Sequence, residues 1–480
     1  MRILYWFRND LRLHDNEGFL KATGQADEVI PVYCFDPRQF RLLPEFGFHK
    51  TGPFRAQFIL ESVADLRQQF RQSGGDLLIR SGQPDRILAE LARELGADAI
   101  YASKEVTQEE TDLEASLTKR LKADNIDVSL FWVSTLYHVR DLPFSLVKLP
   151  DIFTEFRKQL EQSVPVRSSL PAPEVIRVPA ELDAGELPTL ADLGFPAHRS
   201  ADERAALQFR GGETAALTRL ESYFWQNHRL RTYKETRNQM LGEGFSSKFS
   251  AWLSLGCLSP RFVYEEVKRY EQERVANEST YWIIFELLWR DYFRFVALKY
   301  GTRIFKPGGI RHNLHRQYSD DPALFGKWIN GQTGIPFIDA NMRELALTGF
   351  MSNRGRQNVS SFMVRDLNLN WTMGAAYFES MLIDYDVCSN WGNWNYMAGV
   401  GNDPRENRYF NIYSQALRYD EQGDYVRHWL PELRNVPTDR IHRVWTLTPD
   451  EQKQCGVRLG IDYPLPTIHA DKWIRNEKIR

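Results

Sequence analysis

The run Val29-Ile-Pro-Val-Tyr-Cys-Phe35 is short and almost wholly apolar, which is the signature of a strand buried on both faces of a sheet. Working outward, Ile3 to Phe7 (ILYWF), Leu77 to Ile79 and Ala99 to Ala102 repeat it. Amphipathic helical patterns lie between these runs, at Phe54 to Phe70 and Pro84 to Leu95. Buried strands alternating with helices predict a doubly wound parallel sheet, an α/β domain over residues 1–135. Ligands of such sheets sit at the carboxyl ends of the strands. From Ser163 to Pro196 the chain is rich in proline and small residues with weak periodicity, so 136–203 is expected to be an interdomain connector. Beyond it, patterns such as AALTRLESYFWQNH and YWIIFELLWRDYFRFVALKY predict a large all-helical domain over 204–480.

The bulk numbers narrow the class. A chain of 480 residues exceeds the usual size of one core and can enclose a large ligand. A net charge of -2 argues against nucleic-acid binding through a generally basic surface and leaves room for a local basic rim. Cys34, Cys257, Cys388 and Cys455 are far apart and form no C-x-x-C pair, so neither a metal site nor a disulfide framework is expected. Arg8, Asp10 and Arg12 interrupt any N-terminal apolar run, and no stretch is apolar over membrane-span length. The expectation is a cytosolic, soluble monomer.

Three segments carry candidate chemistry. Gly244 to Leu253 (GFSSKFSAWL) sets three hydroxyls and Lys248 just where an apolar helix begins; this suits phosphate oxygens or, more blandly, an ordinary N-cap. On the helix Tyr281 to Tyr300, Glu286, Trp289 and Arg290 share one face at i, i+3 and i+4, as Asn353, Arg356 and Gln357 do further on. In Leu382 to Met397 (LIDYDVCSNWGNWNYM), Asp384 and Asp386 stand in a largely uncharged, aromatic run. Burying them demands donors. A planar heteroaromatic would supply some, Arg356 could partner one, and a polar surface turn is the bland reading. His14, His312 and His315 read as surface or capping residues.

Taken together, WFRNDLRLHDN from Trp6, TGPFR from Thr51, WxxFELLWRDYFRF from Trp282, TGIPFIDANMRELALTGFMSNRGRQ from Thr333 and LIDYDVCSNWGNWNYMAGVGNDP from Leu382 resemble the photolyase and cryptochrome family from end to end. SSKFSAWLSLGCLSPR, SNRGRQN and NWNYMAGVGND resemble its DASH branch. The resemblance implies FAD held in the helical domain, bent into a U. Tyr233, Ser246, Ser247, Lys248, Phe249 and Ser250 match positions contacting its ribityl and phosphate groups, with Arg290 near the phosphates. Arg356 and Asp384 match a salt bridge over the ring, Asp386 a carboxylate at its edge, and Asn390 the residue facing N5.

The same resemblance implies light-driven splitting of cyclobutane pyrimidine dimers in DNA. Glu286 matches the acid that bonds the flipped bases, with Asn353 nearby and Trp289 as stacking wall. Gln357 and Tyr396 stand where double-strand enzymes usually carry Met and Trp, which weakens stacking on a flipped lesion and implies a preference for single strands. Trp394 and Trp371 match the inner and middle members of a photoreduction chain, whose outer member here is Tyr318. Methenyltetrahydrofolate is the implied antenna, with Glu109 its contact. A basic rim of Arg231, Lys234, Arg237, Lys248 and Arg354 is expected to meet the DNA. The alternatives are a photoreceptor with vestigial repair and a colourless nucleotide-binding module.

Overall fold

The computed structural model describes residues 1–180, 182–196, 201–405 and 408–475. Residues 181 and 197–200 of the expected connector, and 406–407 and 476–480 of the expected helical domain, lie outside the described residues. The N-terminal part carries β1 (Arg2–Phe7), α1 (Glu17–Gln25), β2 (Glu28–Phe35), the two-residue strands β3 (Leu42–Leu43) and β4 (Phe48–His49), α2 (Pro53–Gln72), β5 (Leu78–Ser81), α3 (Pro84–Glu94), β6 (Ala99–Ser103), α4 (Gln108–Leu121) and β7 (Asp127–Phe131).

The main sheet runs β5-β2-β1-β6-β7 and is parallel throughout. Side-chain alternation along β1 explains the two covered faces. Ile3, Tyr5 and Phe7 enter a core with Phe19, Phe58, Leu66 and Phe70 of α1 and α2, whereas Leu4 and Trp6 enter another with Leu88, Leu91, Leu117 and Leu121 of α3 and α4. Strand β7 carries no apolar signal of the kind that marks the others: it lies at the sheet edge and none of its residues is fully buried.

The segment after β7 is bound to both halves of the molecule. It holds α5 (Phe153–Ser163), whose Phe153 and Phe156 pack on aromatics of the helical part, and then runs back over the sheet. There Val29 N–H donates to Arg177 and Ile79 N–H to Ala184, each at 2.8 Å, so the edge strand β5 is covered rather than bare.

The helical part comprises α6 (Glu213–Glu221), α7 (Tyr233–Thr236), α8 (Ser250–Ser254), α9 (Pro260–Glu273), α10 (Glu278–Tyr300), α11 (Pro322–Ile329), α12 (Pro336–Thr348), α13 (Asn353–Ser361), α14 (Trp371–Met381), α15 (Val387–Ala398), α16 (Ile412–Tyr419), α17 (Asp424–Trp429), α18 (Pro449–Cys455) and α19 (Asp471–Arg475). The helix predicted through Ala215–His228 breaks at Ser222 into a π turn, and α13 runs into a second at Phe362–Asp366.

The two parts meet through buried ion pairs. Asp15, fully buried, accepts from Leu170 N–H at 3.0 Å, from the Ser259 hydroxyl and from two nitrogens of Arg261. Arg294 pairs with Glu105 at 2.7 Å, and Asp291 accepts the Leu136 and Tyr137 N–H groups at 3.0 and 2.8 Å. Gly256 has φ +66°, and a Cβ there would stand 2.1 Å from the Asn9 carbonyl oxygen. The turn after α8 can therefore press against the carboxyl end of β1, and the loop following that strand meets another domain where a ligand was expected. His14 is no surface residue: its ring pairs with Glu213. All four cysteines are free and buried, and among the described residues no group of His, Cys, Asp or Glu could hold a metal and no helix is long and apolar enough to cross a membrane.

Candidate cofactor and substrate cavity

A cavity of about 490 Å³ opens in the helical part, walled by residues of α7, α8, α10, α13 and α15, within the range of about 300–1,000 Å³ usual for small-molecule sites. A smaller one of about 90 Å³ shares with it Asn353, Arg356, Gln357, Asp384 and Asp386, and adds Asn390 and Trp394.

The floor is built on α13 and the start of α15. Arg356 Nη2 donates to both oxygens of Asp384, at 2.9 and 2.8 Å, while its Nε holds the Met351 carbonyl at 2.9 Å. The Asp384 side chain is only 2% exposed, so the pair supplies the donors that its burial requires. Asp386 caps α15 by accepting Ser389 N–H at 2.7 Å. Asn390 donates from its amide nitrogen to the Ala375 carbonyl at 3.0 Å and lines the smaller cavity.

One wall is the loop 242–250. Tyr233, Ser246, Ser247, Lys248, Phe249 and Ser250 all line the larger cavity. Lys248 departs from the sequence expectation. It adopts φ +59°, is buried, and donates from Nζ to the Gly242 and Glu243 carbonyls at 3.2 Å. It braces the loop while lining the cavity, and its burial takes it out of an exposed basic rim. Burial lowers its ammonium pKa to about 8. Arg219, which no sequence signal singled out, does the same work: it donates to Ser247 and Glu243 carbonyls at 3.1 and 2.9 Å and pairs with Glu243. Helix α8 has only five residues, so the hydroxyls of this loop are placed by these braces rather than by a long helix start.

The opposite wall is α10. Glu286 faces Arg237, which the sequence had assigned to the outer rim, at 2.5 Å; burial raises the carboxyl above its ordinary range. Trp289 lines the cavity but gives one face to Phe153 of α5, stacked at 3.7 Å and 11°. Arg290 lines the cavity and donates to the Ser134 carbonyl and, at 3.0 Å, to that of Leu253. At the mouth, Gln357 accepts from Arg354 at 2.8 Å and the Tyr396 hydroxyl from Arg408 at 3.0 Å. Arg408 was not foreseen, because its pairing with Asp403 and Tyr396 joins residues without a periodic pattern. Of the other expected rim residues, Lys234 pairs with Glu278 and Arg231 is exposed.

Trp394 is 2% exposed and borders the smaller cavity, whereas Trp371 and Tyr318 border neither. Trp371 donates to the Pro307 carbonyl at 2.9 Å. The segment of Tyr318 runs beside that preceding Trp371, since Ser319 bridges Leu369 and its carbonyl accepts from Asn370 N–H at 2.9 Å. Glu109 stands apart, exposed at the cleft between the two parts, beside Lys50 and with Gln39 at 3.4 Å.

The cavity fits a large, polar, partly aromatic anion. Arg237 Nε, Arg354 Nε and Trp394 Nε1 are buried without a hydrogen-bond partner in the protein, and hydroxyls, amides and guanidinium groups surround apolar walls. A flavin dinucleotide presents oxygens and ring acceptors to such a set.

An α/β domain clamped to a helical domain with this cavity defines a photolyase-type flavin-binding architecture. The family model for DNA photolyase matches residues 3–175, and that for the FAD binding domain of DNA photolyase matches 282–478. A cryptochrome DASH of Gloeobacter violaceus is 56% identical over 97% of this chain and 93% of its own. The solved cryptochrome of Synechocystis superposes with a TM-score of 0.95 at 52% identity, covering 100% of this chain and 98% of that one. A class III photolyase of Agrobacterium tumefaciens gives 0.86 at 28%, over 99% and 96%. The chain belongs to the photolyase and cryptochrome family, among its DASH cryptochromes.

Proposed function

We propose that the protein is a blue-light-dependent lyase that splits cyclobutane pyrimidine dimers, preferentially in single-stranded DNA, with FAD as its cofactor. The observation that carries this is the convergence of Glu286 and Asn353 with Arg356, Asp384 and Asp386 on one cavity. When bound, the flavin supplies light absorption and the electron that opens the dimer. The chain's own residues do the rest. Arg356 places a positive charge beside the ring position and Asp384 fixes its orientation, while Asn390 sets a neutral amide at the N5 position, where an acid would offer a proton. Glu286, paired with Arg237 and with its carboxyl raised above the ordinary range by burial, is positioned to bond the flipped bases.

The preference for single strands rests on Gln357 and Tyr396, both engaged by arginines at the mouth. A lesion entering there meets polar groups and a Trp289 that is already stacked on one face, so less stacking energy offsets the unpairing of a duplex. Glu109, whose carboxyl is held below its ordinary range chiefly by Lys50 against the effect of burial, is the proposed folate contact in the cleft. The test is repair of a dimer-containing oligonucleotide, alone and annealed, under blue light and in darkness. Light-dependent repair, faster on the single strand, is expected. No repair by flavin-loaded, reduced protein would refute the lyase, and equal rates would refute the preference.

A further inference from the structure

We propose that the photoreduction chain leaves through Trp391 and Tyr385 in place of Tyr318, with Glu379 taking the tyrosine proton. The inference deepens the flavin reading above and rests on it. Trp391 lies one turn before Trp394 on α15, and its ring stands 5.8 Å from that of Trp371, centroid to centroid, at 74°. Its indole N–H donates to the Tyr385 hydroxyl oxygen at 3.3 Å. That bond uses the hydroxyl oxygen as acceptor and leaves its hydrogen uncommitted, and the Glu379 carboxylate is close enough to act on the phenol electrostatically. Glu379 lies 3.8 Å from Lys50, which also pairs with the exposed Glu109, so the acceptor is linked to solvent.

The expected outer member is less well equipped. A phenol yields an electron readily only as its proton departs, and the buried Tyr318 hydroxyl has no hydrogen-bond partner to receive one. The Arg316 guanidinium also stands 5.6 Å from the centre of its ring, which opposes a positive charge there. Tyr385 has a cation over its ring as well, Arg55 at 4.4 Å, but its charge need not persist, because the adjacent carboxylate removes the proton. Burial raises the Glu379 carboxyl above its ordinary range, and the Lys50 ammonium at 3.8 Å opposes that shift.

The balance is as follows. Trp394 gives an electron to the photoexcited flavin, Trp371 refills Trp394 and Trp391 refills Trp371. Tyr385 then refills Trp391 while its O–H bond breaks and a new O–H bond forms on Glu379. A neutral tyrosyl radical remains; a thiolate in solution returns the electron to it, becoming a thiyl radical, while Glu379 gives the proton back and is again a carboxylate.

The experiment is time-resolved electron paramagnetic resonance of the full, flavin-loaded chain after a blue flash, with ring-deuterated tyrosine to identify the radical. A tyrosyl signal is expected in the wild type, retained in Tyr318→Phe and lost in both Tyr385→Phe and Trp391→Phe. In Glu379→Gln it should form more slowly, and the solvent deuterium isotope effect on its formation should change. The absorption spectrum of bound flavin reports whether each variant is folded. A tyrosyl signal that survives Tyr385→Phe, or survives Trp391→Phe, overturns the exit, as does a wild type whose signal ends on tryptophan; these outcomes leave the flavin reading standing. A loaded, oxidised wild type with no light-induced protein radical overturns the exit together with the photoreduction chain, while repair by the reduced protein decides the flavin reading separately.

Discussion

Replacing Arg261 by leucine should loosen the whole molecule, although the residue is remote from the cavity. Asp15 has no exposure to solvent, and its two oxygens receive four donors, two of them from Arg261. Arg261→Leu removes half of those donors and the cation paired with Asp15, leaving a carboxylate sealed between two domains. Breaking a buried pair by deleting one partner costs about 3–5 kcal/mol. The entropy of unfolding, about 2.1 cal/mol/K per residue, amounts to about 1 kcal/mol per degree for a chain of this length melting as one unit. The melting temperature should therefore fall by about 3–5 °C, and by more if the domains separate first. Thermal scans of Arg261→Leu, Asp15→Asn and the double variant form a cycle in which the double should be milder than the sum of the singles by at least about 1 kcal/mol. A drop below about 1 °C, or strict additivity, would refute the clamp as an energetic unit.

The fully buried Asp291 has its carboxyl pushed up to about 7, mainly by burial. An acid whose folded pKa exceeds its unfolded one binds the proton more tightly when folded, so its contribution is lost as pH rises from about 4 toward 7, by about 1.4 kcal/mol per unit within that window. Urea midpoints at pH 5 and pH 8 should move in favour of Asp291→Asn relative to wild type at the higher pH; movement the other way would contradict this. Glu286→Gln should lower repair of single-stranded lesions about tenfold, about 1.4 kcal/mol for a bond to a charged group weakened to a neutral one, with flavin content unchanged; unchanged repair would remove Glu286 from the substrate site. At Gly374 a Cβ would stand 2.3 Å from the Trp394 ring and 2.6 Å from Met363 Sδ. Gly374→Ala gains about 1 kcal/mol in helix propensity and loses about 1–3 kcal/mol to overpacking. A net loss of up to about 2 kcal/mol with red-shifted or weakened Trp394 fluorescence is expected, and stabilisation would mean that α14 and α15 part freely.

The sheet was legible because each of its inner strands is a continuous apolar run, a signal that needs no partner to be read. β7 was not, since an edge strand half open to solvent lacks that run. The Arg356–Asp384 pair could be anticipated because two acids in an apolar run demand a counter-charge. Lys248 and Arg290 line the cavity, but their carbonyl partners could not be read from sequence, because a cation's bonds to distant backbone leave no pattern. Phe153 on Trp289, Arg219 behind the loop and His14 on Glu213 join segments far apart in sequence, and such contacts leave no periodicity to find.

The chain that returns across the sheet edge also bears on how such a protein could be cut and recombined. Its contacts with β2 and β5 come from Arg177 and Ala184, downstream of every strand. The sheet is therefore not a portable cassette. A fragment ending soon after β7 would present an uncovered parallel edge and invite pairing between copies, so the unit that could be exchanged between relatives extends through Ala184.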